Sequence, residues 1–231
     1  MNLRPTGIWV AMTALFLVNA DGVTSAQAPP EPYPNMAPLA QYLSPTAADE
    51  IALARTAAPP AISQDADVLT LGPKGYETAV KGRNGFVCLV ERAWFDAVDS
   101  PNFWNPKNRS PDCYNPAAAR SVLPTYLKRT GWVLSGLSKA EIAARTRAAV
   151  AAHEIPPPEI GSMAYMLSRE GYLTDDEVHH WHPHLMFFLP STVPAAWGAV
   201  KGSPVLLANF SRDPVTVFLV PVSRWSDGTP D

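Results

Sequence analysis

Short apolar runs bounded by turn residues dominate the middle of the chain, and this pattern is typical of β-strands. Three such runs predict strands at 68–71, 76–80 and 86–91. A Gly-Pro turn separates the first two runs, and an Asn-Gly pair precedes the third. Because both connections are short, we expect the three strands to form a β-meander.

Helices are predicted where capping residues open an apolar stripe. The three predicted helices span 46–57, 116–131 and 139–153. The second follows an Asn-Pro pair suited to a helix start, and the third opens on the capping box formed by Ser138 and Glu141. A terminal glycine, Gly131, is expected to end the second helix.

Strand patterns return in the second half of the chain, at 163–167, 183–189, 205–208 and 215–222. Strands are thus followed by helices and then by further strands, without a regular β-α-β alternation. This order predicts an α+β fold, a single domain with a mainly antiparallel sheet and two to three short helices packed on it.

The N-terminal segment 1–26 is typical of a secretory signal peptide. Arg4 precedes an apolar run of 11 residues, and small residues lead up to a cleavage point after Ala26, or alternatively after Ala28. That run is shorter than the roughly 20 residues that span a bilayer. We expect export, no membrane span after cleavage, and a periplasmic or secreted location.

The remaining chain divides by composition into two parts. Residues 27–60 are rich in proline and alanine and are expected to form a leader, extended or loosely packed over 27–45, that carries the first short helix. Residues 61–231 are expected to form the single α+β domain, since their length suits one hydrophobic core.

The overall composition excludes several classes of protein. Hydrophobic residues make up 47% and charged residues 17%, which indicates a packed core rather than a disordered chain. The formal net charge of -3 lacks the basic footprint that nucleic-acid binding requires, so we expect no nucleic-acid partner. The 25 prolines disfavour long helices and coiled coils.

The two cysteines, Cys88 and Cys113, predict a disulfide if the chain is exported. On the chain-entropy model, a disulfide that closes the loop between these two cysteines stabilises the fold by roughly 3–4 kcal/mol. The alternative is a thiol nucleophile at Cys88 with a histidine base, which leaves Cys113 without a role.

A stretch without regular periodicity, 93–115, is predicted to be a long loop, and loops of this length are usually functional or tied down. It is rich in aromatic residues, including Trp94 and Trp104, with asparagines between them. Two interpretations follow. The rings form a stacking platform for a sugar, or they plug the edge of the sheet as a satellite core.

Histidines are concentrated in one place, since four of the five fall within residues 179–184. Pro183 favours an extended backbone before it, and residues two apart in a strand share a face. His182 and His184 are therefore predicted neighbours that could bind a divalent metal. A third ligand would come from His153, Glu154 or Glu177. The alternatives are structural hydrogen bonding and acid–base catalysis.

Four stretches of the chain resemble a set of uncharacterised exported bacterial proteins. They are NGFVCLVER at 84–92, PDCY at 111–114, AYMLS at 164–168 and WHPHLMF at 181–187. The resemblance implies export and agrees with a pairing of the two cysteines. It implies no activity, substrate or cofactor.

Together these patterns favour a non-enzymatic protein that binds a small molecule or a component of the cell envelope. The site is expected between the aromatic loop and the strand that bears the histidines. Its predicted ligand-binding residues are Trp94, Trp104, Trp181, His182 and His184. The alternative is a metal-dependent hydrolase or metal-binding protein that uses His182 and His184. The chain contains none of the common hydrolase or phosphate-binding motifs, and whether it is an enzyme is left open.

Overall fold

An eight-stranded sheet organises the computed structural model, which describes residues 31–174, 181–208 and 215–231. Across the sheet the strands follow the order β2-β1-β3-β4-β5-β6-β8-β7, and every neighbouring pair is antiparallel except β1 and β3. The strands are β1 (Asp67–Gly72), β2 (Gly75–Val80), β3 (Val87–Glu91), β4 (Ser110–Tyr114), β5 (Met163–Met166), β6 (His184–Pro190), β7 (Leu206–Ala208) and β8 (Val215–Pro221).

Five helices accompany the sheet in the described part of the chain, and the predicted α+β class is confirmed. They are α1 (Ala47–Arg55), α2 (Pro60–Ser63), α3 (Pro116–Ser121), α4 (Leu123–Leu134) and α5 (Lys139–Ala151). The capping box that opens α5 is present as predicted. None of these helices is long and apolar enough to cross a membrane.

The predicted end of the second helix is wrong. The helix breaks at Val122, where Pro124 cannot supply a backbone donor, and then resumes as α4. It passes through Gly131 and stops before Gly136, whose φ of 80° is the left-handed conformation that glycine adopts at helix ends.

The predicted β-meander is also wrong, because β3 pairs in parallel with β1 and not with β2. The connection after β2 crosses the start of β1 and delivers β3 to its other side. Gly82 permits this crossing, since a Cβ there would stand 2.1 Å from the carbonyl oxygen of Asp65. Asn84 holds the crossing in place by donating from Nδ2 to the carbonyl of Ile62 at 2.7 Å.

A strand that the sequence patterns did not predict, β4, lies in the middle of the sheet. It falls inside the stretch that was predicted to be a loop, and all five of its residues are buried. Its sequence includes Pro111, which lacks a backbone donor and argues against a central strand. The residue pattern therefore does not predict β4, although this strand pairs with both β3 and β5.

The predicted disulfide is present between β3 and β4. Cys88 and Cys113 are register partners, both fully buried, with their sulfurs bonded. The pair belongs to a small core under α1 that also contains Val68 and Val90. With its sulfur in this bond, Cys88 has no thiol to act as a nucleophile.

The larger core lies on the other face of the sheet. It joins apolar side chains of the central strands to the inner faces of α4 and α5. The sheet contributes Leu89, Tyr114 and Phe188 to this core, and the helices contribute Tyr126 and Ile142. The two faces of the sheet therefore differ. The disulfide lies between the sheet and α1, and the aromatic core lies between the sheet and helices α4 and α5.

The described part of the leader contacts the loop that follows β3. Tyr42 is fully buried, and its hydroxyl donates to the carbonyl of Trp104 at 2.8 Å.

A buried ion pair fastens α1 to the sheet. Arg92 Nη2 donates to Glu50 Oε1 at 3.0 Å, and the same oxygen accepts from the backbone N–H of Leu71 at 3.0 Å. The Arg92 side chain has no exposed surface, and its Nε donates to the carbonyl of Tyr42 at 2.6 Å. Each charge is thus compensated inside the protein.

Removing Glu50 tests this arrangement. Glu50→Ala leaves the Arg92 guanidinium and the Leu71 N–H without their carboxylate, so we expect a loss of about 3–5 kcal/mol in the free energy of unfolding. Urea denaturation measures it. The control, Glu159→Ala, removes an exposed partner of Arg120 and is expected to leave stability nearly unchanged. Equal effects of both substitutions would contradict the interpretation.

Candidate functional site

A cavity of about 360 Å³ lies between the sheet and the loop that follows β3. Its apolar walls come from Phe95, Met166, Leu173, Met186 and Leu219, among others. Its polar lining includes Glu91, Asp96, Asn102, Asn108, Ser110 and His184. Cavities of this size and mixed lining are typical of small-molecule sites.

Two carboxyl groups meet beside this cavity because of the strand register. Glu91 ends β3 opposite Ser110, and Asp112 stands two pairs further along, opposite Leu89. Residues opposite one another in an antiparallel pair share a face, and so do residues two apart along a strand, so both carboxyls point to the same side of the sheet. Glu91 lines the cavity, whereas Asp112 is fully buried.

Two ionisable side chains influence the carboxyl of Glu91. The Tyr114 hydroxyl donates to Glu91 Oε1, and the carboxyl of Asp112 lies near enough for each carboxyl to affect the pKa of the other. Burial raises the pKa of Glu91 to about 7, against an ordinary value of 4.5. Burial, followed by the charge of Glu91, raises the pKa of Asp112 well above its ordinary range.

The surroundings of Asp112 favour its protonated form. Its Oδ1 accepts from the backbone N–H of Cys113 at 2.8 Å, while its Oδ2 is buried and has no hydrogen-bond partner among the described residues. An ionised oxygen in that position would be costly, which agrees with the raised pKa of Asp112. Glu91 is the member of the pair that faces the cavity.

The loops beside the cavity are held by side-chain amides. Asn108 Nδ2 donates to the carbonyl of Leu173 at 2.9 Å, and its Oδ1 accepts from the Ser110 hydroxyl at 3.1 Å. Asn102 Nδ2 donates to Thr174 Oγ1 at 3.3 Å. Asn102 and Asn108, which the sugar-platform interpretation of the loop would use for ligand hydroxyls, thus join the long loop to Leu173 and Thr174.

The imidazole of His184 is held in a defined tautomer at the cavity wall. Its Nδ1 lies 2.8 Å from the carbonyl oxygen of His182. A carbonyl accepts only, so Nδ1 carries the hydrogen and Nε2 is an acceptor. Burial lowers the pKa of His184, which favours the neutral ring.

His182 is placed differently. The strand begins at His184, so the pleat that was expected to align the two rings does not extend to His182. Its side chain is 68% exposed, and its Nδ1 lies 2.5 Å from Asp231 Oδ2. Among the described residues, no three His, Cys, Asp or Glu side chains are grouped to hold a metal ion. The candidate ligand Glu177 lies outside the described residues.

The tryptophans predicted for ligand binding occupy other positions. Trp94 is fully buried and donates from Nε1 to Thr130 Oγ1 at 3.0 Å, and Trp104 is 5% exposed. Both belong to the larger core, so these rings pack inside the protein, as the core interpretation of the loop expected, but they do so in the main core and not in a satellite. Trp181 packs against Gly171 and meets the His184 ring edge-on, with ring centroids 5.5 Å apart.

Sequence reasoning missed the carboxyl pair entirely. The one available signal was a Glu-Arg pair, Glu91 and Arg92, directly after the apolar run of β3. Asp112 gave no signal, because its strand was not predicted. Comparisons with protein-family models, curated proteins and solved structures find no match to this chain.

The carboxyl pair predicts a specific dependence of stability on pH. Because the pKa of Glu91 is raised to about 7 in the folded protein, the native state keeps a proton that the unfolded chain releases near 4.5. This contribution is full below the unfolded pKa and is lost as the pH rises to about 7. The slope is at most about 1.4 kcal/mol per pH unit from this group.

Glu91→Gln removes the titrating group and should flatten this fall, as measured by urea denaturation between pH 4 and pH 8. Glu77→Gln, on an exposed position of β2, serves as the control and should keep the wild-type profile. Parallel profiles for wild type and Glu91→Gln would show that Glu91 titrates normally.

Proposed function

We propose that this protein is an exported binding protein that holds a small ligand in the cavity beside Glu91. The observation that carries the proposal is the cavity itself, about 360 Å³ in volume, with apolar walls and a few convergent polar groups. It lies between the aromatic loop and β6, and His184 is the residue of the predicted set that contributes to its wall.

The polar groups of the cavity favour binding as its purpose. Burying the ionised carboxyl of Glu91 costs free energy, as the direction of its pKa shift indicates. A hydrophobic residue at this position would fill the space at lower cost. Retention of perturbed carboxyls at a cavity wall is a common feature of functional sites.

Export rests on two features. The first is the signal-like segment 1–26, which lies outside the described residues. The second is the disulfide between β3 and β4, since stable disulfides are formed in oxidising compartments. A small molecule of the periplasm or of the extracellular medium, including a soluble fragment of an envelope polymer, is the proposed ligand.

Filling the cavity tests the proposal. Leu219→Trp places a larger ring at the cavity wall and is expected to weaken each ligand found by ligand-observed NMR screening at least tenfold. Val220→Trp, the next residue along β8, leaves this wall unchanged and should preserve binding. The screen includes amines, acids, polyols and soluble envelope fragments. Ligands that bind both variants alike would place binding elsewhere, and a screen without ligands would contradict the proposal.

A metal site at His182 is the second candidate. Its specific support is the contact of His182 with Asp231, since metal-ligating histidines commonly bond to a carboxylate through the other ring nitrogen.

If a metal binds there, Zn²⁺ should raise the melting temperature of the wild type and not that of the His182→Ala/His184→Ala double variant. Elemental analysis of protein from its native compartment is the direct measurement. Less than about a tenth of a metal ion per chain, with no thermal shift, would exclude this candidate.

A further inference from the structure

Several donors at the cavity wall are engaged within the protein, which limits what ligand can complement it. Asn102 and Asn108 each use one side-chain amide N–H for a neighbouring loop and keep one more. The hydroxyl of Ser110 donates to Asn108. These three side chains are neutral and bring no positive charge to the wall.

The one guanidinium at the described cavity wall is also committed. Arg92 donates to the carbonyls of Tyr42 and Val90 and to the carboxylate of Glu50. Its charge is matched by Glu50, and its side chain has no exposed surface. Arg92 is therefore unsuited to binding an anionic ligand in this cavity.

The ionisable groups with remaining capacity at the described wall are acceptors. Glu91 accepts from Tyr114 and carries further lone pairs. His184 offers Nε2, because its Nδ1 is engaged. A second carboxylate at the wall, Asp96, uses Oδ1 for the backbone N–H of Ala97 and retains Oδ2.

A ligand for this wall must bring donors and positive charge. A protonated amine has three donors and no acceptor, whereas a carboxylate or phosphate would meet Glu91 and Asp96 with repulsion. A neutral polyol would need donors from the wall as well as acceptors. The apolar walls, which include Met166, Met186 and Leu219, suit an apolar body attached to the amine.

We infer that the cavity binds an organic amine in its cationic form, with the ammonium group at Glu91 and the apolar body against the methionines and Leu219. This inference rests on the proposed function, because it names the ligand class of the same cavity. It makes Glu91 the residue that determines specificity for charge.

The affinity should depend on pH, because only ionised Glu91 attracts the cation. With its pKa raised to about 7, Glu91 is ionised at pH 8 and mostly protonated at pH 6. Within the described part of the chain, the titratable and charged groups that face it come from the loop after β3, from β4, from α4 and from β6. They are Asp112, Tyr114, Asp96, Arg129 and His184.

The test compares two probes of the same shape, 4-phenylbutylamine and 4-phenylbutan-1-ol, by isothermal titration calorimetry. The purified protein should bind the amine at least tenfold more tightly than the alcohol at pH 8. Amine affinity should fall about tenfold between pH 8 and pH 6, since the amine itself stays protonated across that range.

Glu91→Gln keeps the shape of the side chain and should remove the preference for the amine, while leaving alcohol binding within about twofold. Glu77→Gln on the exposed face of β2 should change neither probe. Asp96→Asn, at the exposed second carboxylate, should weaken amine binding by a smaller factor than Glu91→Gln does. It replaces Glu91→Gln in the test if that variant does not fold.

Failure of this inference is distinct from failure of the proposed function. Equal binding of the two probes, or an undiminished preference in Glu91→Gln, would overturn the amine assignment. The amine assignment would also be overturned if the protein binds other ligand classes and not the amine, and Leu219→Trp abolishes that binding. Each of these results would leave the cavity as the ligand site. A screen that finds no ligand of any class would overturn both.

Discussion

The register between β3 and β4 is the constraint on which both the disulfide and the candidate site depend. It sets Cys88 opposite Cys113 beneath α1, and it sets Glu91 and Asp112 on the other face. A shift of one residue would turn each side chain of one strand to the opposite face. The sulfurs would separate, and one carboxyl would enter the apolar core under α1. The covalent bond therefore also secures the geometry of the carboxyl pair.

Two neighbouring residues show two ways of burying an ionisable group. Arg92 keeps its charge, because Glu50 and backbone carbonyls compensate it fully. Glu91 has a second buried carboxyl, Asp112, beside it, and burial together with the charge of Glu91 raises the pKa of Asp112. The first solution ties α1 to the sheet. The second leaves a group whose charge changes near neutral pH at a cavity wall, which is suited to ligand recognition.

Features that depend on a few adjacent residues could be predicted from the sequence. The turn between β1 and β2, the capping box of α5 and seven of the eight strands follow from local patterns, as does the α+β class. The disulfide was also accessible, because a chain with two cysteines offers one intramolecular pairing. In the candidate site, the loop, the strand and His184 were predicted from the sequence. Glu91, whose carboxyl faces the cavity, was not.

Tertiary structure decided what local patterns do not encode. Pro111 and Asp112 look unsuited to a central strand, and only pairing on both sides makes β4 possible there. The close approach of Gly82 to the start of β1 turned an expected meander into a parallel pair. The meeting of Glu91 with Asp112 required both the missed strand and its register. Residue type and spacing along the chain determine local conformation, whereas which polar groups are buried together depends on contacts between distant segments.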